Sequence, residues 1–147
     1  MRPSECIHNW FQRIWAEQDA DAVEELSAPD AVFRGLEETV LAGADEFRLY
    51  HRMMLDKFDA FEIEIHRMVE EGEWVAMFAT VHSTYRATGQ RCATRLHAMA
   101  HFRDGLMVEG HNLIDTVDFF EQLGLLPERT LDQLLLGRRP SFIATSA

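Results

Sequence analysis

The chain has 147 residues, of which 47% are hydrophobic and 10% aromatic, and its formal net charge at pH 7 is −11. These values are typical of one globular domain, which buries roughly 68–70% of its unfolded surface on folding. An acidic chain without clustered Lys and Arg is a poor partner for nucleic acid or an anionic membrane, and no apolar run approaches the ~20 residues of a membrane span. The two cysteines, Cys6 and Cys92, lie far apart and the first residues lack the pattern of a secretory leader, so we expect a reduced, cytoplasmic protein.

The first half of the sequence predicts three helices, because apolar residues recur at helical spacing. Ser4 is placed to cap the first helix, and Asp21 with Glu24 forms a capping-box-like pair before a short second helix that ends near Pro29. A short strand over residues 31–34 follows, and the third helix begins at Asp45. The stripe of the first helix consists of Ile7, Trp10, Phe11, Ile14 and Trp15, and that of the third of Phe47, Tyr50, His51, Met54 and Phe58.

The second half predicts four strands, because the apolar period changes from 3.6 to 2 at Phe61. The strands cover residues 61–65, 74–85, 92–102 and 106–116, and the last two are joined by the turn Asp104-Gly105. Helices followed by consecutive hairpins indicate an α+β fold, with helices on the concave face of a curved antiparallel sheet and an apolar pocket between them. We expect a single domain over residues 1–127. A helical extension and tail over 128–147 contain a Leu131 helix and a frayed end from Pro140.

A two-residue turn at Asp104-Gly105 also predicts the strand register, since it places Ala98 opposite His111 and Thr94 opposite Asp115. In this register Ala98, Glu109, His111 and Asp115 share one face, which we expect to be the pocket wall. The opposite face carries Arg95, His97, Met99, His101, Val108, Asn112 and Ile114, and suits solvent or a subunit contact. A slip of one residue would exchange the two faces.

Asp115 is the first candidate for catalysis. A carboxylate on an apolar sheet face should have a raised pKa, as suits a general acid or base, whereas the alternative is that Asp115 caps the following helical turn. His111 lies four residues away, about 13 Å between Cα atoms in a regular strand, so the two residues could bracket a substrate but not form a dyad. The alternative for His111 is a hydrogen-bonded core histidine.

The third helix supplies polar candidates for the pocket. Tyr50 would donate to a developing oxyanion and His51 would carry a proton, although ordinary packing explains either residue alone. Glu109 would add a carboxylate at the pocket floor. Trp15, Met54 and Phe78 would form an apolar wall suited to a ring-containing ligand, or simply core. No nucleotide or zinc motif is present in the sequence, and we expect neither a cofactor nor a metal.

The C-terminal half resembles the SnoaL-like polyketide cyclase family of the nuclear-transport-factor-2-like superfamily. The resemblance lies in residues 102–109 (Phe-Arg-Asp-Gly-Leu-Met-Val-Glu), in Asp115 and in residues 121–124 (Glu-Gln-Leu-Gly). It implies a cone-shaped fold in which Asp115 is the acid/base of an intramolecular aldol closure without metal or cofactor. His111 stands where many members carry a tryptophan.

Three functions are open at this point. In the first, Asp115 removes a proton next to a carbonyl, and His111, Tyr50 or His51 stabilises the enolate, which leads to cyclisation or isomerisation of an apolar substrate. In the second, the chain binds an apolar small molecule without turnover. In the third, it is a hydrolase or dehydratase on the same fold. We also expect a homodimer through the outer sheet face, with residues 131–136 packed across the interface.

Overall fold

The computed structural model describes residues 1–142, and the end of the predicted frayed tail lies outside these residues. The helices are α1 (Pro3–Trp10), a π-helix (Phe11–Ala16), α2 (Asp21–Leu26), α3 (Gly43–Lys57), α4 (Thr116–Gln122) and α5 (Thr130–Leu135). A helix is therefore present in each segment predicted to be helical, including the short one at Leu131. Two predicted ends were wrong: α2 ends at Leu26, so Pro29 lies in the following strand, and Phe58 begins a strand after α3. Over the described part of the chain, no helix is long and apolar enough to cross a membrane.

Six strands form one open, curved sheet with helices packed against it, so the α+β prediction is confirmed. The strands are β1 (Ser27–Arg34), β2 (Leu41–Ala42), β3 (Phe58–Glu71), β4 (Trp74–Tyr85), β5 (Arg91–Arg103) and β6 (Leu106–Ile114), in the spatial order β2-β1-β6-β5-β4-β3. All pairs are antiparallel except β1 and β6, which run parallel. The sequence did not predict this parallel pair, which brings the end of β1 beside the middle of β6.

The first two helices begin differently from the prediction. No side chain caps α1; instead the Ser4 backbone N–H donates to Glu70 of β3 at 2.6 Å, and the Arg2 guanidinium binds the same carboxylate. These contacts lower the pKa of Glu70 to about 2. In α2 it is the Asp19 carboxylate that accepts from the Asp21 N–H, at 3.1 Å. The predicted caps at Ser4 and Asp21 were wrong because carboxylates outside each helix satisfy its first donors.

The core lies between the helices and the inner face of the sheet. Trp10 of α1 stacks on Phe33 of β1 at a centroid distance of 5.7 Å, and Phe33 lies 4.5 Å from Phe47 of α3. The sheet contributes alternate buried residues, namely Val75, Met77 and Ala79 on β4 and Leu96 and Ala100 on β5. Burial of the predicted helical stripes against these residues explains why α1 and α3 form despite their short lengths.

The predicted register of the last hairpin holds only next to its turn. Asp104 and Gly105 both have positive φ, and Arg103 pairs with Leu106 as expected. Beyond that pair Phe102 faces Met107 but His101 faces Glu109, so Val108 is an extra residue in β6. Such a bulge shifts the rest of the strand by one residue and exchanges its faces. The predicted pairs of Ala98 with His111 and of Thr94 with Asp115 were therefore wrong.

Candidate active site

A cavity of about 110 Å³ lies between the helices and the inner face of the sheet. Its volume approaches that of the roughly 150 Å³ engineered apolar cavities that bind benzene. Most of its wall is apolar. The predicted residues Trp15, Met54 and Ala98 line it, with Trp10, Phe33, Phe47, Phe61, Leu96, Met107 and Ile114 among the others. The cavity therefore suits a small ring-containing molecule.

Tyr50 brings a polar group to this wall. It lies on the buried face of α3, is 8% exposed, and its ring packs edge-on against Trp15. Within residues 1–142 its hydroxyl has no hydrogen-bond partner, which leaves the group available to a ligand. Burial, together with the negative charge of Glu37, raises the pKa of Tyr50 to about 12. The phenol consequently stays protonated at neutral pH and can donate a hydrogen bond.

His51 is fully buried beside the cavity wall. Its Nε2 lies 2.7 Å from the carbonyl oxygen of Ile14 in the π-helix, and its ring contacts Trp15 at 4.8 Å. A carbonyl only accepts, so Nε2 carries the proton and Nδ1 has a lone pair that no described group satisfies. Burial lowers the pKa of His51. The residue is thus a neutral imidazole that joins α3 to the π-helix.

Asn112 is a cavity residue that the sequence interpretation placed on the wrong face. The bulge at Val108 directs Gly110, Asn112 and Ile114 of β6 to the inner face, where they line the cavity. The Asn112 side-chain Nδ2 donates to the backbone oxygen of Arg34 at 3.2 Å. The sequence feature that could have indicated this bulge was Gly110, because a glycine within a strand often marks a bulge or a close approach of another group.

Three predicted pocket residues place their side chains on the outer face instead. His111 pairs with Met99, and its imidazole contacts the Glu109 carboxylate at 2.6 Å and faces the ring of Trp74. The Phe78 ring stacks on that of His97, 37% exposed. The bulge directs the side chains of His111 and Glu109 outward, although His111 still borders the cavity. The predicted placement of Glu109 was wrong because a regular β6 was assumed. That of Phe78 was wrong because β4 buries the alternate residues Val75, Met77 and Ala79. Phe78, Met99 and His111 border a broad groove on this face, which we call the outer groove. Its other residues include Arg67, Val69, His97, Asn112 and Leu113.

Asp115 follows the last residue of β6 and is the N-cap of α4. One carboxylate oxygen accepts from the Asp118 N–H at 3.4 Å, and the other binds the Arg95 guanidinium at 2.6 Å on the outer side of β5. The Arg95 hydrogen bond lowers the pKa of Asp115, in spite of partial burial. The expected raised pKa was therefore wrong, and the alternative of a helix cap is confirmed. The carboxylate is ionised at neutral pH.

Substitution of Asp115 should separate its two contacts. We expect Asp115→Ala to lower the free energy of unfolding by about 1–2 kcal/mol, and Asp115→Asn by less than about 1 kcal/mol, since an amide oxygen still caps a helix. A carboxylate whose pKa is lower in the folded than in the unfolded chain stabilises the fold at pH values above its unfolded-state pKa. This stabilisation is lost as the pH falls through the folded-state pKa. In urea unfolding, the difference in stability between the wild type and Asp115→Asn should therefore decrease as the pH falls below about 4, and disappear only below the lowered pKa of the folded state. A constant difference down to pH 2 would contradict this assignment.

The helices and the curved sheet define a cone-shaped α+β domain with an apolar cavity between them. A family model, the SnoaL-like domain, matches residues 7–110, and the chain belongs to this family. The match ends before Asn112 and Asp115, so family membership alone assigns no role to either residue. A search of curated proteins gave no significant match.

Solved structures of several activities share the fold. IdmH from Streptomyces antibioticus, a proposed polyketide cyclase, is 24% identical with a TM-score of 0.73, over 84% of this chain and 99% of that one. An M. tuberculosis LEH-like epoxide hydrolase is 20% identical with a TM-score of 0.69, over 92% and 96%. A ketosteroid isomerase-like protein from Catenulispora acidiphila, in complex with trimethylamine, is 14% identical with a TM-score of 0.74, over 85% and 95%. At these identities the likeness shows the fold alone.

Proposed function

We propose that this chain is a cofactor-independent enzyme that binds a small apolar carbonyl compound in the cavity and promotes loss of a proton next to the carbonyl. The observation that carries the proposal is the Tyr50 hydroxyl, which lies in an apolar wall without a partner among the described residues. A buried donor of this kind is stronger than in water, and it stabilises the negative charge that develops on an enolate oxygen. The enolate can then close a ring by aldol addition or return its proton at another carbon.

Asp115 is the proton acceptor that the family resemblance implies. It stands one residue beyond Ile114, the last cavity-lining residue of β6, and its carboxylate is in the ionised form that a base needs. Its bonds to Arg95 and to the Asp118 N–H lower its basicity. In this proposal the substrate is bound with the carbon next to its carbonyl at the Ile114 end of the cavity, and the Asp115 carboxylate must leave Arg95 on the outer side of β5 to reach it.

A second candidate function is ligand binding without turnover, which the engagement of Asp115 by Arg95 and α4 favours. The Asp115→Asn protein distinguishes the two functions, because it keeps the cap and removes the base. A loss of proton exchange of at least ~10²-fold supports catalysis by Asp115. Unchanged exchange limits Asp115 to a structural role, and no exchange by the wild type supports the binding protein.

The test of the proposed site uses acetophenone, a single-ring ketone with exchangeable protons beside its carbonyl. Binding is followed by the fluorescence of the cavity tryptophans, and proton loss by deuterium incorporation from D2O in NMR spectra. We expect Ala98→Phe to fill the cavity and weaken acetophenone binding at least ~10-fold, with exchange lost in parallel. Ala93→Phe is the control, since Ala93 lies on the same strand with its side chain exposed. Equal affinity in the Ala98 and Ala93 variants would place the ligand elsewhere.

We further propose that two copies pair through the outer groove. Apolar side chains are exposed there, namely Val69, Phe78, Met99 and Leu113. Patches of this kind on a soluble protein often mark contacts between subunits. We expect sedimentation at twice the 17.0 kDa chain mass, and Met99→Glu should produce monomers while Val40→Glu, on an exposed loop residue, should not. A wild-type monomer at high concentration would contradict this proposal.

A further inference from the structure

The orientation of the Asn112 amide is determined by its neighbour. The Arg34 backbone oxygen can only accept a hydrogen bond, so the group 3.2 Å from it is the amide nitrogen Nδ2. The amide oxygen Oδ1 consequently points away from Arg34 and has no partner within residues 1–142. Asn112 therefore offers an acceptor on the sheet side of the cavity, while Tyr50 offers a donor from the helix side.

Asn112 is also held firmly in place. Gly35 follows Arg34 and packs so closely on β6 that a Cβ atom there would lie 1.8 Å from the Asn112 backbone oxygen. The backbone of Asn112 is thus confined by Gly35 and its side chain by Arg34. A polar group fixed in this way loses little conformational freedom when a ligand binds, which makes it effective in recognition.

From these contacts we infer that Asn112 recognises a hydroxyl group of the ligand, through a hydrogen bond from the hydroxyl to Oδ1. This inference rests on the proposed function and narrows its substrate class to apolar carbonyl compounds that also carry a hydroxyl on the far side of the ring. Tyr50 binds the carbonyl oxygen and Asn112 the hydroxyl. A ligand without the hydroxyl lacks this hydrogen bond and binds more weakly.

The experiment compares acetophenone with its ring-hydroxylated isomers in the wild type, Asn112→Ala and Asn112→Val. We expect the wild type to bind one isomer about five- to tenfold more tightly than acetophenone. Both Asn112 variants should lose this preference. Asn9→Ala, at the other asparagine of the chain, should keep the preference. The ratio of two affinities in one protein does not depend on how much of a variant is folded.

Tyr50→Phe separates this inference from the proposed function. It should weaken acetophenone and the preferred isomer by the same factor and leave their ratio unchanged. A preference that persists in both Asn112 variants, or a wild type that binds acetophenone without preferring any isomer, overturns the role of Asn112 alone. A wild type that binds none of these compounds overturns the proposed function and this inference together.

Discussion

Gly35→Ala should destabilise the protein by at least about 4 kcal/mol, a large part of the ~5–15 kcal/mol that stabilises a typical domain. Gly35 has a φ of +86°, and a Cβ atom would lie 1.8 Å from the Asn112 backbone oxygen and 2.8 Å from its carbonyl carbon. The left-handed backbone alone costs about 1–2 kcal/mol for alanine. The rest of the loss in stability arises because β1 and β6 must separate to make room for the methyl group. Urea unfolding of the variant measures the loss.

Gly89→Ala is the matched control for this prediction. Gly89 has a similar φ of +75°, but no atom lies within 4 Å of the position that its Cβ would occupy. Its substitution should therefore cost only the backbone strain, about 1–2 kcal/mol. Equal losses in the two variants would show that the contact between Gly35 and Asn112 contributes nothing.

Tyr50→Phe should reduce the rate of acetophenone proton exchange by about 10²–10³-fold, which is the usual effect of removing one oxyanion donor. The substitution keeps the ring that packs against Trp15 and removes only the hydroxyl. We therefore expect a similar melting temperature and a much smaller change in ligand affinity than in rate. Because the pKa of Tyr50 is about 12, ionisation of this phenol should not reduce wild-type exchange between pH 7 and 10.

Tyr85→Phe controls for the loss of a phenol as such. Tyr85 is the other tyrosine of the chain; its ring packs against Phe58, and neither residue lines the cavity. The Tyr85→Phe protein should exchange the acetophenone protons at the wild-type rate. If Tyr50→Phe also retained full exchange, the carbonyl would have a different donor and the proposed role of Tyr50 would be wrong.

The sequence predicted the elements of this fold well, because their signals are periodic and redundant. The stripe from Phe47 to Met54 and the alternation from Phe61 to Ile65 each contain several residues that agree on one structure. Burial of those stripes is the main term that stabilises the elements, so the pattern and the structure have the same cause. Tyr50, Trp15 and Met54 were placed at the cavity by this argument, and Ala98 by its place on the predicted inner face of the last hairpin.

The site was predicted less well, because strand register depends on single residues. Val108 is β-branched and apolar, as a regular strand prefers, and nothing in its side chain marks it as the bulged residue. One extra residue was enough to move His111 and Glu109 out of the cavity and Asn112 into it. Likewise, the lowered pKa of Asp115 depends on Arg95, which is twenty positions earlier and was expected only on the outer face.

The bulge at Val108 determines which groups of β6 face the cavity. If Val108 took a regular place opposite His101, the turn at Asp104-Gly105 would stay intact and every later residue of β6 would change faces. His111 and Glu109 would then face inward, and an amide-lined wall would become one with an imidazole and a carboxylate. Deletion of Val108, by contrast, would remove the bulge and leave Asn112 opposite Ala98. In this architecture the presence of a bulge in one hairpin can exchange one set of functional groups for another while every helix and strand stays in place.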